Sequence, residues 1–307
     1  MPCRCQVADW KAHKTDCLTT KERLTRVRDA VLDDMPAAQE RWDSETVLKL
    51  GRRCMHDFTL ARWGTQAVQD EVEMELYELM SRAYSRGRQF EESIDFAQRS
   101  ILLCERLGLW QRSGRGHSNI ADMQVGLQRY ADARVSYETV HTLGEKSGSF
   151  ELYAKSNLGL SKLSHREGSL VDAKRFAEES LTATALYQPN QYGKSRDEAN
   201  AILAIVACCD VESESFDGTL LERLAVLGQE VDDDPREGGG SFIGIRAAGL
   251  LGRRHLAMGR IASGVAAYQR VVEIAKESRF SGMDEVQNLA THANLALCNL
   301  EFSGLLV

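Results

Sequence analysis

The chain has 307 residues, of which 43% are apolar and only four are proline, so long helices over a continuous core meet little obstruction. A formal net charge of −7 argues against nucleic acid or an anionic membrane surface as the main partner. No apolar run nears the roughly 18 residues of a membrane span, and the start, Met1-Pro2-Cys3-Arg4-Cys5, lacks the apolar stretch of a signal peptide. Of the eight cysteines, Cys3, Cys5 and Cys17 crowd the beginning, while Cys54, Cys104, Cys208, Cys209 and Cys298 are scattered over helix-like stretches. Scattered cysteines in a long chain read as reduced, buried thiols of an intracellular protein, cytoplasmic or nuclear.

Residues 1–17 carry the first motif, Cys5-Gln6-Val7-Ala8-Asp9-Trp10-Lys11-Ala12-His13-Lys14-Thr15-Asp16-Cys17. His13 and Cys17 are four apart and so share one helix face, as two ligands of one zinc ion require. The run resembles the C-terminal half of a MYND-type zinc finger. The resemblance implies zinc, with Cys5, His13 and Cys17 at ligand positions. Cys3 stands two residues before Cys5, where that family's cysteine stands four before. In the family's interleaved pattern His13 and Cys17 would share one ion and Cys5 would belong to another, so the ligand set is incomplete. A makeshift site from Cys3, Cys5, His13 and Cys17 offers four soft ligands. A chain extended upstream would be expected to add two Cys-x2-Cys pairs. Intact fingers of this family bind short proline-containing peptides.

Residues 18–69 are helical by pattern. Thr19-x-x-Glu22 reads as a capping box ahead of Leu24, Val27, Val31 and Leu32, and Asp33-Asp34-Met35-Pro36 interrupts the run. The stretch is an N-terminal cap or a degenerate repeat.

From residue 70 to 302 the sequence repeats. Met80-Ser81, Ile120-Ala121 and Leu160-Ser161 pair a large apolar residue with a small one, and recur every 40 residues. Ser93, Ala133 and Ala173 recur at the same interval. A large residue beside a small one marks a close approach of two helices. Gly87, Gly126, Gly168 and Gly259 follow the first helices, where a left-handed residue ends a helix cheaply. Phe90, Tyr130, Leu170 and Ile261 open the second helices. A degenerate pair begins at Asn200 and ends near Gly228, with Val211–Ser215 as its internal loop. Asp232–Ser241 reads as a second loop, and a last first-type helix covers Asp284–Leu300. These features resemble the tetratricopeptide repeat family in a form about 40 residues long. The usual tryptophan is replaced by Tyr77, His117, Asn157 and Ala248, and the usual proline at the unit's end is absent. The fold expected is all-α, a right-handed superhelix of antiparallel helical hairpins.

That resemblance implies a groove lined by the first helices. The groove-facing positions map to Arg82, Asp122, Lys162 and Arg253, with Glu78, Ser118, His165 and Arg246 beside them, a polar lining with a basic bias in an acidic protein. It points to a protein or peptide partner, with an extended acidic segment as the fitting occupant. Glu78 and Arg82 stand where chaperone-binding members carry a carboxylate clamp, which argues against that role. No catalytic pattern accompanies the repeats: Gly-x-Ser-x-Gly, His-Glu-x-x-His and a phosphate loop are all absent, and His117 and His255 fall at interhelical packing positions. The expectation is a non-enzymatic scaffold. The alternatives are a relative of the lysine methyltransferases that combine such fingers and repeats, lacking their β-rich SET domain, or a scaffold that self-associates as a homodimer through the C-terminal helix.

Overall fold

The computed structural model describes residues 20–41, 43–60, 66–187, 191–232, 243–276, 284–303 and 305. Among these every regular element is a helix. The chain divides into two compact units, Met1–Ser149 and Phe150–Val307.

The first unit opens with α1 (Thr20–Asp29), a π-helical turn at Ala30–Asp34 and α2 (Met35–Glu40). The sequence reading broke the helix at Asp33–Pro36. The chain instead stays helical there, in a widened turn. Pro36 donates no hydrogen bond to the carbonyl four residues back, and the wide turn just before it accommodates that loss. Thr19, the first residue of the expected capping box, lies outside the described residues, and Glu22 falls within α1. α3 (Ser44–Leu60) follows, its first turn capped by Asp43, which accepts from the Thr46 N–H at 2.9 Å. Then come α4 (Gln66–Arg86), α5 (Phe90–Arg106), α6 (Trp110–Gly126) and α7 (Tyr130–Ser147), each packed antiparallel on the next. Val27, Val31, Met35, Ala38 and Val47 form one core with Leu76, Leu79, Met80 and Phe96, seating the N-terminal helices against the first hairpin.

The second unit comprises α8 (Phe150–Arg166), α9 (Leu170–Leu186), α10 (Gln191–Ala207), α11 (Gly218–Asp232), α12 (Ile243–Ala257), α13 (Ile261–Ala275) and α14 (Asp284–Phe302). Its cores run from α10, α11 and α12 (Ile202, Leu221, Leu224, Ile243) to α12, α13 and α14 (Ile245, Val271, Val286, Ala293).

The regular hairpins cross where the sequence puts their small residues. Ser81 and Ser93, Ser161 and Ala173, and Gly252 and Gly264 face each other, Ala121 and Ala133 are fully buried, and a Cβ on Gly264 would come within 3.3 Å of the Gly252 carbonyl. Ser93 Oγ donates to the Ser81 carbonyl and Ser161 Oγ to the Ala173 carbonyl, both at 2.7 Å. Side chains any larger would hold the backbones too far apart for these bonds. A second clamp closes the far end of two hairpins, Ser100 Oγ to the Met74 carbonyl at 3.3 Å and Ser180 Oγ to the Ala154 carbonyl at 2.8 Å.

The turns correct one expectation. Gly168 and Gly259 do carry a positive φ, but at the first two hairpins the left-handed residue is Arg88 (φ 56) and Gln128 (φ 61), not Gly87 or Gly126. In all four the left-handed residue stands two places before the residue that opens the next helix. The closing bond is the same throughout, as in Gln89 N to Tyr84 O at 3.0 Å and Arg129 N to Gln124 O at 2.8 Å. Gly126 answers a packing need instead: a Cβ there would stand 3.0 Å from the Phe90 ring.

Candidate partner-binding cleft

In the first unit α4 and α6, both first helices of their hairpins, are bridged by charge. Arg112 on α6 donates from Nε to Glu78 Oε1 at 2.7 Å, from Nη2 to Glu78 Oε2 at 2.9 Å, and to Glu75. These carboxylates raise the Arg112 pKa above its ordinary value against the opposing effect of burial. Glu78 also accepts from Arg82 Nη2 at 3.0 Å, one helical turn on. Glu78 is therefore a hub between two arginines and is not a free acidic group.

Beyond this bridge, toward the C-terminal ends of both helices, lies a cavity of about 540 Å³, within the usual size range of ligand pockets. Arg82, Arg86, Ser81 and Ser85 line it from α4, Asn119 and Asp122 from α6, and Gln39 from α2. Arg86 Nη1 donates to the Gln39 carbonyl at 2.8 Å. Burial first, and the neighbouring Arg82 charge second, hold the Arg86 guanidinium below its usual pKa. Asp122 accepts a hydrogen bond from the Tyr137 hydroxyl, whose pKa burial and the Asp122 charge raise, so the phenol stays a donor.

Of the residues mapped to a groove from sequence, Arg82 and Asp122 thus line one cavity. Lys162 and Arg253 belong to the second unit. Lys162 is exposed on α8; burial raises the Asp197 pKa, and the Lys162 charge is one of several that only partly oppose that rise. Arg253 is exposed on α12, with Nε 3.9 Å from Glu212 Oε1. Ser118, expected beside the groove, is buried at 7% exposure on the packed side of α6. Gln39 and Arg86 were missed. Arg86 falls one helical turn past Arg82 on the same face and was within reach of the periodicity, whereas Gln39 arrives only through the docking of α2.

The imidazole of His117 is mostly buried, and burial lowers its pKa despite Glu105 at 4.0 Å. His255 Nδ1 is buried without a partner. Cys3, Cys5, His13 and Cys17 lie outside the described residues. Among the described residues no group of histidine, cysteine and acidic side chains is placed to hold a metal ion, and no helix is long and apolar enough to cross a membrane.

No family description matches the chain, and no curated protein matches it. Solved structures do. PilF of Pseudomonas aeruginosa superposes with a TM-score of 0.50 at 14% identity, over 84% of this chain and 96% of that one. The apo form of the quorum sensor NprR from B. thuringiensis superposes with a TM-score of 0.53 at 13% identity, over 93% of this chain and 82% of that one. The fold is that of the tetratricopeptide-like helical repeats.

Proposed function

We propose that the chain is a protein-interaction scaffold, and that the cleft between α2, α4 and α6 seats a segment of a partner protein. The observation carrying this reading is the meeting of Arg82 and Asp122 in one cavity with Arg86, Asn119 and Gln39. Polar groups converging on a concave site are what a recognition surface needs, and stacked hairpins hold such a surface on rigid elements.

A photocrosslinking residue tests it. Placed at Asn119, it is expected to capture a partner that the same residue at exposed Leu102 does not, and Arg82→Glu is expected to abolish the capture. Identical captures from both positions would sink the reading.

A second reading, self-association, rests on α14. Phe302 is 94% exposed there and Leu295, two turns earlier, is 57% exposed. A mass in solution that rises with concentration and falls in Phe302→Ser supports it, and a monomer at all concentrations excludes it. The zinc implied by the N-terminal resemblance is a third proposal, supported by the donor chemistry of Cys3, Cys5, His13 and Cys17. Zinc per chain in the natural protein against Cys17→Ser decides it.

A further inference from the structure

One wall of the cavity holds a polar group that the fold itself leaves without a partner. Gln39 is 8% exposed, and neither Nε2 nor Oε1 of its side chain meets a hydrogen-bonding atom. Its main-chain carbonyl is satisfied by Arg86, so the deficit is confined to the side-chain amide. A sealed amide with neither donor nor acceptor engaged weakens a fold. Its neighbours on α2, Met35 and Ala38, are apolar and fully buried, so packing alone would favour an apolar residue here. The last torsion of glutamine is soft, so the amide can present either its oxygen or its nitrogen in the same place.

The same cavity carries Arg82 and Arg86, one turn apart on α4. The Glu78 carboxylate that reaches Arg82 is shared with Arg112, and Asp122 is engaged by Tyr137. Two planar guanidinium groups favour a carboxylate. A primary amide, donor and acceptor together, matches a main-chain peptide group. An Asp or Glu within an extended segment offers both at once.

We infer that the cavity seats an acidic residue of the partner's segment, with its carboxylate against Arg82 and Arg86 and its main-chain amide against Gln39. The inference rests on the cleft being the partner-binding surface. It makes Gln39 a positioning residue kept for binding at the expense of stability, and the two properties should move in opposite directions when it is changed.

The full chain is panned against a random heptapeptide library, and the enriched peptides are titrated by fluorescence anisotropy. Enriched peptides are expected to share an Asp or Glu at one position. Replacing that residue by Asn or Gln, or using the Arg82→Glu protein, should weaken binding at least tenfold, with Arg82→Gln as the milder variant should Arg82→Glu fold poorly. Gln39→Met keeps the length of the side chain and removes both polar atoms. It should weaken binding several-fold while melting at or above the temperature of the natural protein. Peptides that need Arg82 yet share no acidic position overturn this inference and leave the cleft as a binding surface. Peptides indifferent to Arg82, or none enriched, overturn both. A Gln39→Met protein that melts lower and binds unchanged assigns Gln39 to packing and overturns its part.

Discussion

Ser93 on α5 donates its hydroxyl to the carbonyl of Ser81 on α4, while in the second unit Ser161 on α8 donates to the carbonyl of Ala173 on α9, so the same crossing is clamped from opposite sides. What the crossing demands is small volume on both helices. Which helix supplies the hydroxyl is free to vary. Ser161→Ala should therefore cost only about 1 kcal/mol, the net worth of one hydrogen bond. Ala133→Leu should cost about 1–3 kcal/mol through overpacking. Chemical unfolding midpoints compare the two, and an Ala133→Leu protein as stable as the natural one would refute the close approach.

Arg254 is a buried cation, 6% exposed, held by main-chain carbonyls. It donates to the carbonyls of Val211 at 3.1 Å and Phe216 at 2.9 Å, and to that of Ser213. Arg254→Met should cost on the order of 3 kcal/mol, because charge-assisted bonds are lost and several carbonyls are stranded. Arg254→Lys should restore little, since an ammonium cannot reproduce the planar fork. Hydrogen exchange should quicken across residues 208–217 in both variants. Unchanged exchange would show that the loop holds itself.

His117 gives the stability a pH dependence with a definite sign. Its folded pKa lies below the ordinary 6.5, mainly through burial. The unfolded chain therefore binds the proton more readily, and stability is full above 6.5 and declines as pH falls from there toward the lowered folded value. His117→Gln should flatten that part of the stability–pH curve. A curve with the same slope in the variant would assign the proton uptake elsewhere.

Burial also pushes the Cys54 and Cys104 thiols up to about 11. At neutral pH both are protonated and shielded, while Cys298 is exposed on α14. Peptide mapping after brief maleimide treatment should find Cys298 labelled, and Cys54 and Cys104 labelled only in denaturant. Early labelling of Cys104 would mean that α5 opens readily.

The hairpins were legible because close helix approach restricts residue size, and a size restriction repeats visibly at Ser81, Ala121 and Ser161. The turns were misread. Arg88 and Gln128 adopt the left-handed conformation at some cost, and nothing in their chemistry announces it, whereas Gly126 serves the Phe90 ring. Arg82 and Asp122 could be placed from periodicity since each lies on a repeat helix. Gln39 could not, because only the packing of Val31, Met35 and Ala38 against α4 brings α2 to the cavity. The far-end clamps at Ser100 and Ser180 stand 80 residues apart, two repeats, and the intervening hairpin, with buried Val140 midway, has no serine there to complete the pattern.

Arg254 grips its loop through main-chain oxygens, and its guanidinium also passes over the Phe216 ring. The path of the chain is thereby pinned at Val211, Ser213 and Phe216, and Ser213 Oγ adds a restraint by accepting from the Ser215 N–H at 3.3 Å. The turn they hold forms a natural grafting site, where a foreign sequence of equal length that keeps a serine at position 213 could be displayed on a rigid frame without redesigning the helices beneath it.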